Sequence, residues 1–186
     1  MKKLIMTLIL LTMLVPVFAE KKIARVPIEE QVAYSGSNFG LIGAGIRNKF
    51  IIRLYVGSLY TNQPIIDENS VLKGPAQSVI RLDIISNIIT SELMQETVQT
   101  GFDKAMGGDT SSLQSQIDDF IGVFSEEINK GDQFNFISIP GRGVIAFKGE
   151  RELTTINDDR FREVLFSIWL GDDPAEESLK KAMLGK

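Results

Sequence analysis

The chain contains neither cysteine nor histidine. Without cysteine no disulfide can form, so the hydrophobic core must carry the stability alone. Without histidine the commonest general base and the commonest metal ligand are missing. A Ser-His-Asp or Cys-His site is thereby excluded, and a metal would need an all-oxygen shell, which argues against zinc. A basic stretch is lacking as well. Over 186 residues, 20 Lys and Arg stand against 24 Asp and Glu, a net charge of −4. Such a chain is a poor nucleic-acid binder. After the first nineteen residues no apolar run approaches the roughly 20 residues that a membrane-spanning helix needs.

Those first nineteen residues have the three parts of a secretory signal. Lys2 and Lys3 make a positive start, Leu4 to Val15 is apolar apart from Thr7 and Thr12, and Val17-Phe18-Ala19 offers a cleavage site. Residues 1–19 are therefore expected to be removed, leaving a periplasmic or secreted chain of 167 residues, 20–186, with no transmembrane segment. Loss of Lys2 and Lys3 leaves 18 basic against 24 acidic residues, a balance of −6. That length suits one domain with a sizeable core.

The mature chain alternates between strand and helix patterns. Ile23 to Tyr34 starts as a strand near a proline, and a glycine-rich stretch, Gly36 to Gly45, reads as flexible backbone leading into the next one. Phe50 to Tyr60 is the strongest strand signal. Strict alternation puts Phe50, Ile52, Leu54 and Val56 on one face and Ile51, Arg53, Tyr55 and Leu59 on the other. Gln63 to Pro75 reads as a polar connection and Ala76 to Ile85 as a further strand. A helix capped by Thr90 or Ser91 is expected to stop at Gly107-Gly108, and a second, carrying Leu113, Ile117, Phe120, Phe124 and Ile128, at Gly131. Three strands in a meander follow, Phe134–Ile139, Val144–Lys148 and Arg151–Ile156, with Pro140-Gly141-Arg142-Gly143 as the first turn. The end is helical, first around Phe161, Leu165, Ile168 and Trp169. Asp173-Pro174-Ala175-Glu176 then has the form of a second helix start, with Asp173 as cap. The pattern predicts an α+β fold, helices laid over one face of an antiparallel sheet.

Few residues announce chemistry. Gly40, Gly43 and Gly45 do not match a phosphate-loop fingerprint. Asp118-Asp119 and Glu126-Glu127 read as the solvated face of a helix. Arg47 stands apart, between the glycines and the most apolar strand. The residues leave two readings of it open: a surface arginine at a strand start, or a fork aimed into a cavity to hold a carboxylate or a polarised oxygen.

Three blocks, in order, resemble the bacterial exported branch of the chalcone isomerase-like family. They are Gly43-Ala44-Gly45-Ile46-Arg47-Asn48-Lys49-Phe50 running on to Tyr55-Val56-Gly57-Ser58-Leu59-Tyr60; Lys130-Gly131-Asp132-Gln133-Phe134 running on to Pro140-Gly141-Arg142-Gly143; and Phe161 to Gly171 with Pro174, Leu179-Lys180 and Leu184-Gly185. The resemblance implies an open-faced sandwich, an antiparallel sheet covered on one face by helices, with a ligand cleft between the layers. Plant chalcone isomerases close a flavanone ring, and related plant proteins without that activity bind fatty acids through a cleft arginine. The resemblance assigns that role to Arg47.

It also implies that the catalytic set is incomplete. Leu54 stands where the enzymes carry a threonine, Gly107 to Ser112 holds no tyrosine, and Arg162-Glu163 replaces a small hydroxyl. The expectation is therefore a binding protein for a small amphipathic anion, fatty-acid-like, with Arg47 as ligand residue and with no catalytic residue, metal or cofactor. Two alternatives remain: an isomerase or intramolecular lyase in which Arg47 polarises the substrate and a water acts as base, and an interaction domain without a small ligand. A lone cation binds an anion without favouring a transition state over the ground state.

Overall fold

A computed structural model describes residues 21–65 and 67–186. The expected signal, residues 1–19, lies outside them. Two short strands, β1 (Lys22–Ile23) and β2 (Val26–Pro27), pair with each other. A seven-stranded antiparallel sheet then takes its strands in strict chain order. These are β3 (Gln31–Tyr34), β4 (Ser37–Lys49), β5 (Ile52–Thr61), β6 (Ser78–Ile84), β7 (Gln133–Ile139), β8 (Gly143–Lys148) and β9 (Arg151–Ile156). The helices are α1 (Glu68–Leu72), α2 (Ser91–Ala105), α3 (Gln114–Ile121), α4 (Asp159–Leu170) and α5 (Glu177–Met183). No described helix is long and apolar enough to cross a membrane.

The helices pack on one face of the sheet, as the sequence predicts. Their core is aromatic: Phe102, Phe120, Phe124, Phe136 and Phe161 are buried and meet at ring separations of 5.2 to 6.3 Å. The opposite face is covered by the sheet's own curl. Edge strand β3 reaches β8, five places away in the order, so that Tyr34 and Phe147 have ring centroids 5.8 Å apart. Val32, Phe39, Tyr60, Val79 and Ile137 fill this second core. Arg81 crosses it, donating to Asn135 Oδ1 (2.9 Å), Glu29 Oε2 (2.9 Å) and the Tyr34 hydroxyl (3.0 Å), and its guanidinium lies 5.4 Å from the Tyr60 ring centroid.

Several local expectations are corrected. The glycine-rich stretch is not a flexible approach but most of the 13-residue strand β4. Its glycines make room for α5. A Cβ on Gly43 would lie 2.2 Å from the Ala182 carbonyl oxygen, and one on Gly45 would lie 2.6 Å from Ala182 Cβ. The strand expected from Phe50 begins instead at Ile52, because Lys49 pairs with Ile52 and Phe50-Ile51 forms a two-residue hairpin turn. The connection after Gln63 contains α1, started by an Asp67–Ser70 capping box.

The helix expected to reach Gly131 ends sooner. After a single 3-10 turn, Gly122–Phe124, the Phe124 carbonyl accepts hydrogen bonds from Ser91 Oγ and from Gln95 Nε2 (3.2 Å). Glu126 and Glu127 therefore sit in a loop rather than on a helical face. Asp173 does not cap the last helix. It pairs with Lys104 (3.2 Å), while the Ala175 N–H donates to the Ile168 carbonyl (2.7 Å) and folds the segment back onto α4. Glu176 takes the cap position of α5 without capping it by its side chain.

Candidate functional site

Arg47 lies near the end of β4, in register with Tyr55 on β5. One position further the register shifts, Asn48 pairing with Arg53, so Leu54 is an extra residue on β5. This bulge breaks the strict alternation expected of that strand. Leu54 and Tyr55, placed on opposite faces by the sequence, both turn to the helical side and line one cleft. The cleft lies between the sheet and α2 and α4, has a volume of about 230 Å3, and is walled by Leu82, Ile89, Met94, Val98, Ile168 and Trp169. Arg47 and Lys49 are its cations from the sheet, and Lys104 contributes from α2.

Arg47 is neither a plain surface residue nor a free cation. Its side chain is 19% exposed, and Nη1 donates to Glu176 Oε2 at 2.8 Å and to the Asn48 carbonyl. Glu176 also accepts from the Asn48 N–H (2.8 Å) and the Ser178 hydroxyl (2.5 Å). Burial alone would raise the Glu176 pKa. The Ser178 and Asn48 donors and the Arg47 cation outweigh it and hold the carboxyl below its ordinary range. The glycines of β4 make the contact possible, since they let α5 lie against the strand and bring its first turn beside Arg47.

Tyr55 is the polar cleft residue that sequence reasoning missed. Its hydroxyl accepts a hydrogen bond from Trp169 Nε1 at 3.0 Å. Burial pushes its pKa above the ordinary phenol value, against the lowering influence of Trp169 and of Arg47 beside it. The phenol therefore keeps its proton at neutral pH. No sequence signal marks it: a two-residue turn at Phe50-Ile51, which neither side chain favours, and one bulged residue bring Tyr55 opposite Arg47.

The positions where the resemblance points to lost catalytic groups divide. Leu54 lines the cleft with an apolar side chain. Gly107 to Ser112 and Arg162-Glu163 do not line it. Arg162 has a structural task, 1% exposed, with Nη2 donating to the Leu72 carbonyl (2.9 Å), Nη1 to the Val71 carbonyl (3.4 Å) and Nε to Asp159 (2.5 Å). It satisfies the carbonyls at the end of α1. Among the described residues no cluster of three or more acidic side chains is placed to hold a metal ion.

A family model described as chalcone isomerase-like matches residues 20–185. Among solved structures, the chain is similar to the crystal structure of a fatty-acid binding protein from Arabidopsis thaliana. That match has a TM-score of 0.63 and 15% sequence identity, and it covers 83% of this chain and 96% of the other. It bears out the α+β expectation at the level of fold. The search of curated proteins found no match.

Proposed function

Because the chain belongs to the chalcone isomerase-like family, we propose that it is an exported, non-catalytic binder of a small amphipathic anion such as a fatty acid. The observation that carries the reading is one cleft in which apolar walls meet an arginine and a protonated phenol. Arg47 attracts the carboxylate, and the Tyr55 hydroxyl can donate to it, since its oxygen is already oriented by Trp169. The apolar side chains from α2, α4 and β6 take the chain. A volume of about 230 Å3 falls below the roughly 300 Å3 at which pockets for drug-sized ligands begin. The cleft therefore suits a single acyl chain of modest length, or the head-proximal part of a longer one. The solved plant relative is itself a fatty-acid binding protein, which supports this choice of ligand class.

An intramolecular lyase at the same place would need a base. Glu176, the carboxylate bonded to Arg47, is committed to that cation and to Asn48, and Leu54 supplies no hydroxyl. No acceleration of chalcone ring closure over buffer is expected, with a plant enzyme as positive control.

Lipids extracted from the purified protein and identified by mass spectrometry should include a carboxylic acid with an acyl chain. Titration with that acid should weaken roughly 30- to 150-fold in Arg47→Ala, the loss of about 2–3 kcal/mol expected for a charge-assisted contact. Arg47→Lys should recover only part, because an ammonium lacks the planar fork. Equal affinity in wild type and Arg47→Ala, with circular dichroism unchanged, refutes the anchor. For export, N-terminal sequencing of the protein from the cell envelope should begin at Glu20, and an intact Met1 on a membrane-embedded protein would contradict it.

A further inference from the structure

The β4–β5 hairpin ends in two residues that its geometry disfavours. A two-residue turn with positive φ at its first position takes glycine there, at no steric cost. This one has Phe50 at φ 56°, followed by Ile51. A bulky side chain in that conformation is strained. Neither residue recovers the cost by packing, for Phe50 is 91% and Ile51 97% exposed. Ile52 beside them and Ile88, in the loop leaving β6 at the same end of the sheet, are exposed too. Lys49 and Arg53 flank the tip on either strand, and both are exposed. Neither makes an ion pair among the described residues, although the chain as a whole is acidic. Lys49 and Arg47, just behind the tip, belong to the cleft.

We infer that this hairpin tip is a docking point for an anionic lipid bilayer: Phe50 and Ile51 enter the interface, and Lys49 and Arg53 meet the lipid headgroups. Aromatic and aliphatic side chains on a narrow projection, collared by cations, have the chemistry of interfacial insertion. Two strands ending in a two-residue turn form a wedge rather than the broad flat face that protein partners bury. The local positive charge in an acidic molecule also selects an anionic surface. The acyl-ligand reading of the cleft gives the contact its use, because an acyl chain leaving the bilayer would enter beside Lys49 and Arg47. The docking itself rests on the tip alone, so the two readings can fail separately.

The test is sedimentation of the signal-free chain with vesicles of phosphatidylcholine alone and with one third phosphatidylglycerol, at low and at physiological salt. The wild type should bind the anionic vesicles and leave the neutral ones. The double variant Phe50→Gly, Ile51→Asn, whose residues suit the turn better, should melt no lower than wild type and lose at least tenfold in vesicle binding. Its titration with free fatty acid should be unchanged, since neither residue lines the cleft. Lys49→Glu with Arg53→Glu should abolish the preference for anionic lipid. Equal vesicle binding by wild type and the turn variant overturns the inference, as does no binding by either. A wild-type dimer that the turn variant dissolves, without vesicle binding, overturns it in favour of contact between copies of the chain.

Discussion

Arg47 Nη1 and Glu176 Oε2 lie 2.8 Å apart, so the cation proposed to hold a ligand's carboxylate already holds one from its own chain. With side-chain exposures of 19% and 20%, the pair is neither open to solvent nor sealed from it. An incoming anion must share Arg47 with Glu176 or displace it. Replacing Glu176 by Gln removes the competing charge while keeping an oxygen for the Asn48 N–H. Fatty-acid affinity should rise, on the order of tenfold if one charge-assisted bond of about 1.5 kcal/mol no longer has to be exchanged. Calorimetric titration of the two proteins checks this, and an unchanged or weaker affinity shows that Glu176 supports the site rather than competes for it.

The same carboxylate makes stability depend on pH. Its pKa is lowered on folding because the Ser178, Asn48 and Arg47 donors outweigh burial. A depressed folded pKa stabilises the protein above the unfolded value, and that contribution is lost as pH falls through the folded pKa. Wild type should therefore exceed Glu176→Gln in urea midpoint at neutral pH. The gap should close as pH drops below the ordinary glutamate range, about 4.3. A gap that widens in acid would have the wrong sign for this ion pair.

Gly43 is fixed by close approach. An added methyl would meet the Ala182 carbonyl oxygen at 2.2 Å and the Gly185 nitrogen at 2.8 Å, both backbone atoms that no rotamer change can move. Gly43→Ala should cost roughly 1–3 kcal/mol, as overpacking does. It should also loosen α5, which carries Glu176 to Arg47. Chemical denaturation reads the first effect. Faster amide exchange at Leu179 and Lys180 reads the second.

Arg162 tests the division between scaffold and site. Arg162→Met keeps the length of the side chain but leaves the Leu72 and Val71 carbonyls without their donor. The expected loss is about 2–3 kcal/mol in stability, the usual scale for charged hydrogen bonds in a protein interior. Ligand affinity of the folded fraction should not change, because Arg162 does not line the cleft. A selective loss of affinity would reinstate this position as part of the site.

The elements that the sequence made legible are those whose burial repeats with the period of their backbone. The β7–β8–β9 meander falls within one residue of expectation. Thr90 caps α2 as expected, its hydroxyl oxygen accepting from the N–H of the third residue on. Local pattern and structure part company where distant contacts set the local choice. The β4 glycines look flexible until α5 is seen lying on them. Phe50-Ile51 looks like strand because neither residue suits a turn. Glu176 reads as part of its own helix start, yet its side chain bonds a backbone 128 residues away. Tyr55 joined Arg47 through a bulge that alternation cannot anticipate.

The chain's one tryptophan stands in the wall of the cleft. Trp169 donates to Tyr55 on one side and stacks on Phe136 at 5.8 Å on the other. All indole emission from the protein therefore originates a single hydrogen bond away from the proposed headgroup position. A ligand that draws on the Tyr55 hydroxyl alters the polarity around that ring, so occupancy should register as a shift in emission wavelength without any attached dye. An undisturbed spectrum on denaturant-free addition of a carboxylic acid would mean that the cleft stayed empty. In this sense the fold carries an optical gauge of its own loading.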